Sequence, residues 1–215
     1  MALLEQLQSV AWERAAACSA GAYLLGCFAT GYYLVRARTG RDIRQVESGA
    51  TGARNVSRVL GATGFWLTVA GDFGKGALAV WAAGKFSGND FIAALALLAV
   101  VTGHIWPAQL RFQGGKGVAT SLGGLLLFDW RLAVTYAALF ALLFLLTRRT
   151  ILPGLFAYAC LPFAAHGFEP DPVRTTMVAL LAGLVLVAHR NNFVEEIPVL
   201  AAWRRVAANP EKPKL

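Results

Sequence analysis

Seven apolar runs divide the chain and restrict what it can fold into. They fall at roughly 15–35, 64–83, 91–110, 117–128, 132–147, 151–167 and 173–188. A helix needs about 20 apolar residues to cross a bilayer. The first three runs reach that length; the fourth, fifth and seventh are short and could be half-spans, stand upright in a thinned bilayer, or continue past their apolar residues. Because 57% of residues are hydrophobic and 15% charged, we predict an all-α membrane protein with seven transmembrane helices.

The positions of Lys and Arg favour an odd number of spans. If the N-terminus lies outside, nearly all of them fall on the cytoplasmic side, as is typical of inner-membrane proteins. The exceptions are Arg14, Lys85, Arg131 and Arg174 outside and Lys75 within a span. We therefore predict an outside N-terminus and a cytoplasmic C-terminus. Residues 1–206 would form one membrane domain, in which 1–14 could be an interfacial helix, and 207–215 a cytoplasmic tail.

This orientation places three polar stretches, 42–61, 103–123 and 189–192, on the cytoplasmic side. The second reads GHIWPAQLRFQGGKGVATSLG. Its glycines Gly114, Gly115 and Gly117 allow the main chain to approach an anion so that successive N–H groups point at it, and Lys116 adds a positive charge. The GxxxxGK[ST] spacing of a P-loop is absent. The alternative is a flexible turn whose lysine only sets topology.

The first stretch, DIRQVESGATGARNVSRVLG, contains further candidate phosphate ligands. Arg54 and Arg58 are spaced i, i+4, which places both guanidinium groups on one helical face, and such planar groups suit phosphate oxygens. Asn55 and Ser57 offer hydrogen bonds, and Ser48 lies in a glycine-containing turn. The alternative is a basic loop held to anionic lipid headgroups.

Two histidines lie at the ends of apolar runs. His189 and Asn192, in HRNN, share a face if the last helix continues, and His189 could act as a base or as a phosphate ligand. The alternative is an ordinary interfacial residue. His104 precedes Trp106, a residue type typical of the membrane interface.

The second span contains two charges, Asp72 and Lys75, in the sequence GDFGKG. Burying either charge alone is costly, and the i, i+3 spacing allows them to pair. They could form a structural ion pair that faces the bundle. Alternatively, one of them could reach the substrate site.

No pattern indicates a metal, a cofactor or a nucleophile. Cys18, Cys27 and Cys160 lie in apolar segments and are expected to be small buried residues. The GxSxG pattern of a nucleophilic serine is absent. The net charge of +8 could indicate nucleic-acid binding, but the basic residues lie between apolar runs, so membrane orientation and phosphate binding explain them better.

Together these stretches resemble the bacterial acyl-phosphate:glycerol-3-phosphate acyltransferase family. The resemblance extends from about Tyr23 to Asn192 and includes GDFGKG and HRNN in the family's order. It implies an inner-membrane enzyme of phospholipid synthesis whose active site faces the cytoplasm. The enzyme would transfer an acyl group from acyl phosphate to the 1-hydroxyl of glycerol 3-phosphate, giving lysophosphatidic acid and phosphate.

The resemblance also implies roles for individual residues. The implied catalytic residues are Ser48, His189 and Asn192. The implied substrate- and phosphate-binding residues are Arg58, Lys116, Asn55, Arg54, His104, Gly114, Gly115 and Gly117. Because an acyl phosphate is already activated, positioning and charge stabilisation would suffice, without a cofactor or acyl-enzyme. His189 or a phosphate oxygen could take the proton.

Several residues depart from the family pattern. Glu47 and Ala50 replace a usual glycine and asparagine around Ser48, Arg54 replaces a threonine and Cys27 a serine. Glu47 would repel a phosphate if it faced the site, although Arg54 could offset it by pairing. The alternatives are therefore a diverged, non-catalytic relative that binds lipid phosphate or scaffolds lipid enzymes, and a small transporter, although no inverted repeat is visible.

Overall fold

The computed structural model describes residues 10–192 of the 215-residue chain. This part is helical, as predicted, and its helices are α1 (Trp12–Cys27), α2 (Thr30–Thr39), α3 (Ala53–Ser87), α4 (Asp90–Ile105), α5 (Val118–Phe128), α6 (Trp130–Thr147), α7 (Ile151–Phe168) and α8 (Pro172–Ala188). Short 3-10 helices, Ile43–Gln45 and Ala108–Leu110, follow α2 and α4. The predicted interfacial helix at 1–14 falls mostly, and the tail at 207–215 entirely, outside the described residues.

Each predicted apolar run coincides with helix for most of its length, although the third run extends past the end of α4 at Ile105. Two other helices have features that the runs did not indicate. The first run is interrupted at Phe28 and Ala29, whose extended backbone separates α1 from α2. α3 has 35 residues and bends at Gly61, whose φ of 64° favours glycine. α3 also begins earlier than its apolar run, so its first turns belong to the first polar stretch.

Four helical segments among the described residues are long and apolar enough to cross a membrane. They are Trp12–Thr39, Asp90–Leu110, Trp130–Thr147 and Ile151–Phe168. α5 and α8 are shorter apolar helices, and α3 has Asp72 and Lys75 within its apolar part. Seven crossings and an outside N-terminus therefore remain predictions.

The core of the bundle is centred on α4. This helix packs against α1, α3, α5 and α8, and its residues Ala96, Val100 and Val101 are fully buried. A helix that is apolar on all sides is favoured at such a central position. Asn89 is the N-cap of this helix, and its side chain accepts hydrogen bonds from the backbone N–H groups of Phe91 and Ile92.

Glycines allow two helix pairs to pack with their backbones in contact. Gly26 of α1 lies against the Val100 backbone of α4, and a Cβ there would overlap the Val100 carbonyl. In the same way, Gly76 of α3 lies against the Thr120 backbone of α5. Small residues are favoured at such crossings, because lipid provides no hydrophobic drive between helices.

An ion cluster closes the end of the bundle where α5 meets α6. The buried carboxylate of Asp129 lies 2.9 Å from Arg131 Nε and also accepts a hydrogen bond from Arg174 of α8. Burial alone would raise the pKa of Asp129, but the hydrogen bonds from Arg131 and Arg174 hold it below its usual value. The cluster therefore links α6 to α8. Cys27 is buried as expected, whereas Cys18 and Cys160 are half-buried.

Candidate active site

A cleft of about 320 Å³ lies at the opposite end of α5 from Asp129. It is lined by Ala188 and by residues from all three polar stretches, namely Arg44, Ser48, Gly49, Ala50, Ile105, Trp106, Gln113, Gly114, Gly115, Lys116, Arg190 and Asn191. Residues as far apart in the chain as Arg44 and Asn191 thus meet at one end of the bundle. This convergence is what the sequence predicted.

Lys116 connects the second stretch directly to the third. Its Nζ donates a hydrogen bond to Oδ1 of Asn192. The backbone N–H of Asn192 donates to the His189 carbonyl over 2.8 Å, which continues the helical turn and keeps Asn192 on the same side of it as His189. The neutral amide oxygen of Asn192 does not offset the charge of the Lys116 ammonium group. The cleft therefore contains a fixed cation beside the end of α8.

The glycine loop uses its amides differently from the prediction. The N–H groups of Gly114 and Gly115 donate to the carbonyls of Ile105 and His104, over 3.1 and 3.0 Å. They thus satisfy carbonyls at the C-terminal end of α4, which have no partner within their helix. The expectation that these two amides point at an anion is wrong in this structure.

The glycines of this loop are nevertheless required by its geometry. A Cβ on Gly114 would overlap the His104 carbonyl oxygen, and a Cβ on Gly115 would overlap the His104 ring. Gly117 has a φ of 84° and begins α5, which favours glycine. The loop therefore lies flat against the end of α4, and Lys116 extends from it towards the cleft.

Ser48 is exposed in the cleft, on a turn closed by a 3.0 Å hydrogen bond from the Gly49 amide to the Val46 carbonyl. The buried side chain of Asn55 holds this turn. Its Nδ2 lies 2.9, 3.0 and 3.1 Å from the carbonyl oxygens of Val46, Ala50 and Ile43. Asn55 thus fixes the main chain around Ser48, and its amide nitrogen is occupied by protein carbonyls.

Arg54 and Arg58 are not among the described residues that line the cleft. Arg58 pairs with Glu47, with 3.2 Å between its NH1 and Oε2 of Glu47. Arg54 lies 3.5 Å from Oγ1 of Thr150, in the α6–α7 connection. In the described part of the chain it is therefore Arg58, and not Arg54, that pairs with Glu47.

His189 lies immediately after α8 and is buried. Its Nδ1 lies 2.8 Å from the Val185 carbonyl oxygen, so Nδ1 carries the proton and Nε2 is left with a lone pair. Burial lowers the pKa of His189, and the nearby charge of Lys116 adds to this, while the Val185 hydrogen bond opposes it. A neutral histidine with one fixed tautomer can accept a proton at Nε2.

Asp72, Lys75 and His104 form a buried cluster beneath the glycine loop. Lys75 Nζ lies 2.9 Å from Asp72 Oδ1 and 2.9 Å from His104 Nδ1. The predicted pairing of Asp72 with Lys75 is confirmed. None of the three is among the cleft-lining residues of the described chain, so His104 supports the loop from below.

Two cations in the cleft were missed by the sequence reading. Arg44 holds Asp42 at 2.7 Å and donates to the Leu110 carbonyl over 2.8 Å; its hydrogen bonds lower the pKa of Asp42. Arg190 is exposed and lines the cleft. Both arginines lie inside the polar stretches 42–61 and 189–192, but their spacing alone did not distinguish them from arginines that set the membrane topology.

Helices of membrane-crossing length around a cationic cleft define a membrane protein whose site suits a phosphate-bearing ligand. A family model described as glycerol-3-phosphate acyltransferase matches residues 16–197. The chain belongs to this glycerol-3-phosphate acyltransferase family.

Curated relatives agree with this assignment. A protein from Desulfitobacterium hafniense (strain Y51) named glycerol-3-phosphate acyltransferase 1 is 44% identical over 185 residues, which are 86% of this chain and 92% of the relative. A protein of the same name from Bacillus cereus (strain ATCC 10987 / NRS 248) is 40% identical over 169 residues, covering 79% of this chain and 93% of the relative.

Solved structures agree in fold. The crystal structure of PlsY (YgiH), an integral membrane glycerol 3-phosphate acyltransferase, in its glycerol 3-phosphate form has a TM-score of 0.77 and 31% identity, and the match covers 83% of this chain and 90% of that chain. The lysophosphatidic acid form has a TM-score of 0.74 and 29% identity, with 83% and 89% covered. With the apolar helices, this likeness makes the chain a multi-pass membrane protein.

Proposed function

We propose that this protein transfers an acyl group from acyl phosphate to the 1-hydroxyl of glycerol 3-phosphate, giving lysophosphatidic acid and inorganic phosphate. The observation that carries the proposal is the single cleft in which Ser48, Lys116 and Arg190 meet. The relatives' names support glycerol 3-phosphate as the acceptor. The acyl-phosphate donor rests on the resemblance of the motifs and on the chemistry of the cleft.

The proposed reaction needs little covalent work from the protein. The 1-hydroxyl oxygen attacks the acyl carbonyl carbon, and the bond from that carbon to the phosphate oxygen breaks. Phosphate leaves, and the hydroxyl proton goes to His189 Nε2 or to a phosphate oxygen. Lys116 and Arg190 would hold the phosphate groups, and Ser48 would donate to the developing oxyanion. Such fixed charges act strongly where water is excluded.

Activity of the full chain in detergent tests the proposal. Palmitoyl phosphate and labelled glycerol 3-phosphate should give labelled lysophosphatidic acid, and palmitoyl-CoA should not replace the donor. Lys116→Ala and Ser48→Ala should abolish turnover while the protein stays folded. Full activity in both variants would remove them from the site, and acyl transfer only from acyl-CoA would refute the donor.

A non-catalytic relative that binds lipid phosphate is the second candidate. The pairing of Arg58 with Glu47 favours it, because it offsets a cation beside the Ser48 turn. Stabilisation of the protein by glycerol 3-phosphate, with no lysophosphatidic acid formed from either donor, would support this candidate and exclude the enzyme.

The proposed location is the bacterial inner membrane, with the cleft facing the cytoplasm. Labelling in spheroplasts with a membrane-impermeant thiol reagent tests it on a cysteine-free background. Ser87→Cys, at the C-terminal end of α3, should react from outside, and Thr150→Cys, between α6 and α7, should react only after lysis. The reverse pattern would invert the proposed orientation.

A further inference from the structure

In the buried cluster beneath the glycine loop, the ammonium group of Lys75 has three protein partners. Asp72, Lys75 and His104 are 2%, 5% and 4% exposed. Lys75 Nζ reaches Asp72 and His104 Nδ1 at 2.9 Å each and the Phe28 carbonyl at 2.7 Å. Thr30 Oγ1 also donates to Asp72 Oδ1 over 3.0 Å. A charged pair is stable at such depth only when its partners are satisfied, as they are here.

These contacts determine which nitrogen of His104 carries the proton. An ammonium group can only donate, so Nδ1 of His104 accepts from Lys75 and the proton lies on Nε2. The ring is therefore held in one orientation. Its Nε2 edge faces Gly115, because that is the ring atom nearest to the position of a Cβ on this glycine.

His104 meets the glycine loop twice. Its ring fills the space beside Gly115, and its carbonyl accepts the Gly115 amide over 3.0 Å. The next residue is Lys116, whose Nζ bonds Asn192 across the cleft. The position of the Lys116 main chain therefore depends on where the imidazole lies.

The other end of the cluster lies at the break between α1 and α2. Phe28 is at that break, and its carbonyl accepts from Lys75. Gln109 donates to the neighbouring Cys27 carbonyl. The cluster thus connects the interrupted first helix pair to the loop that carries the cleft lysine.

We infer that Asp72, Lys75 and His104 are positioning residues, which fix the loop bearing Lys116 without contact with the substrate. This inference rests on the proposed function, because it assigns the cluster a part in holding glycerol 3-phosphate at that site. Misplacement of a binding group by about 1 Å can cost on the order of a hundredfold in rate.

A double-mutant cycle between His104 and Gly115 tests the inference. Gly115→Ala forces a methyl group against the ring, and we expect KM for glycerol 3-phosphate to rise on the order of tenfold, with a smaller loss in kcat. His104→Ala removes the support and should raise KM similarly. The double variant gives the methyl group space, so its KM should return towards the wild-type value.

The matched control is Asp129→Asn, which breaks a buried ion cluster at the far end of α5. We expect it to lower Tm without changing KM, which separates loss of stability from loss of positioning. If His104→Ala does not survive purification, His104→Asn replaces it, because its amide oxygen can still accept from Lys75 and its shorter side chain leaves space at Gly115.

The outcomes separate the two proposals. An inactive wild type refutes the proposed function itself. An active wild type whose single variants keep a normal KM, or whose double variant is no better than the worse single variant, overturns the positioning role. Recovery of KM in the double variant, with Tm still lowered, supports it, since a purely structural cluster would not restore substrate binding.

Discussion

Arg58 NH1 lies 3.2 Å from Oε2 of Glu47, immediately before the cleft-lining Ser48. Both side chains are exposed, so the pair contributes little to stability. Its consequence is local: the carboxylate holds an arginine that the family resemblance implies as a phosphate ligand. Glu47 also has a φ of 46°, which is unfavourable for a residue with a Cβ.

Replacing Glu47 should therefore improve both the turn and the site. Glu47→Gly relieves a positive φ and should stabilise the protein by about 1 kcal/mol. It also releases Arg58, and we expect KM for glycerol 3-phosphate to fall. Glu47→Gln separates the two effects, because it removes the charge and keeps the Cβ. A lower KM in Glu47→Gly together with an unchanged one in Glu47→Gln would mean that the backbone, and not the charge, is responsible.

The pH dependence of the protein's stability should reflect the titration of His189. Its pKa in the folded protein lies below the unfolded value, so the unfolded chain binds more protons below about pH 6.5. This contribution to stability is complete above the unfolded pKa and is lost as the pH falls towards the folded one. We expect Tm to fall below about pH 6.5 and His189→Gln to flatten that part of the curve.

The pH dependence of the reaction rate tests whether His189 accepts the proton. If Nε2 takes the proton, kcat/KM of the wild type should stay on its plateau somewhat below pH 6.5, where an exposed histidine would already be protonated. His189→Gln should then lose nearly all activity at every pH. Retention of most activity in this variant would indicate that a phosphate oxygen takes the proton.

Arg190 should contribute to binding of the substrate phosphate. It is exposed in the cleft and follows the buried His189. Because a hydrogen bond to a charged group contributes about 1.5–3 kcal/mol, Arg190→Ala should raise KM for glycerol 3-phosphate about tenfold or more. Arg38→Ala, which removes an exposed cation of α2, is the control for net charge. Equal effects of the two substitutions would show that only the overall charge matters.

Two glycines of α3 provide a matched test of helix packing. Gly76 lies against the Thr120 backbone, whereas a Cβ on Gly74 would have nothing within 4 Å. Gly76→Ala should destabilise the protein by about 1–3 kcal/mol or more, because backbone cannot move aside as a side chain can. Gly74→Ala should be neutral or slightly stabilising, since alanine favours the helix. Thermal unfolding in detergent measures both, and a similar Tm for the two would contradict the close contact.

Much of the architecture could be predicted because membrane helices are defined by local composition. The apolar runs predicted the helices, and the distribution of Lys and Arg predicted that the three polar stretches share one side of the membrane. In the structure, Ser48 and Lys116 line one cleft. The pairing of Asp72 with Lys75 followed from their spacing. These features depend on residues close together in the chain or on a simple count of charges.

The remaining features depend on neighbours that spacing does not reveal. The amides of Gly114 and Gly115 are used by α4, because the chain reverses directly over the end of that helix. Arg58 turns to Glu47 because a tight turn brings Glu47 within reach, and Arg54 reaches Thr150 from another connection. The break at Phe28 gave no sequence signal, since it lies inside an apolar run.

The use of the Gly114 and Gly115 amides by the carbonyls of α4 has a consequence for how an anion would be held in the cleft. These two dipoles are no longer available to it, so most of the attraction must come from charged side chains such as Lys116 and Arg190. Attraction between charges near water weakens as dissolved ions accumulate around them. Occupancy of the cleft by a phosphate ester should therefore decline steadily with added potassium chloride, more steeply than for a ligand cradled by main-chain N–H groups.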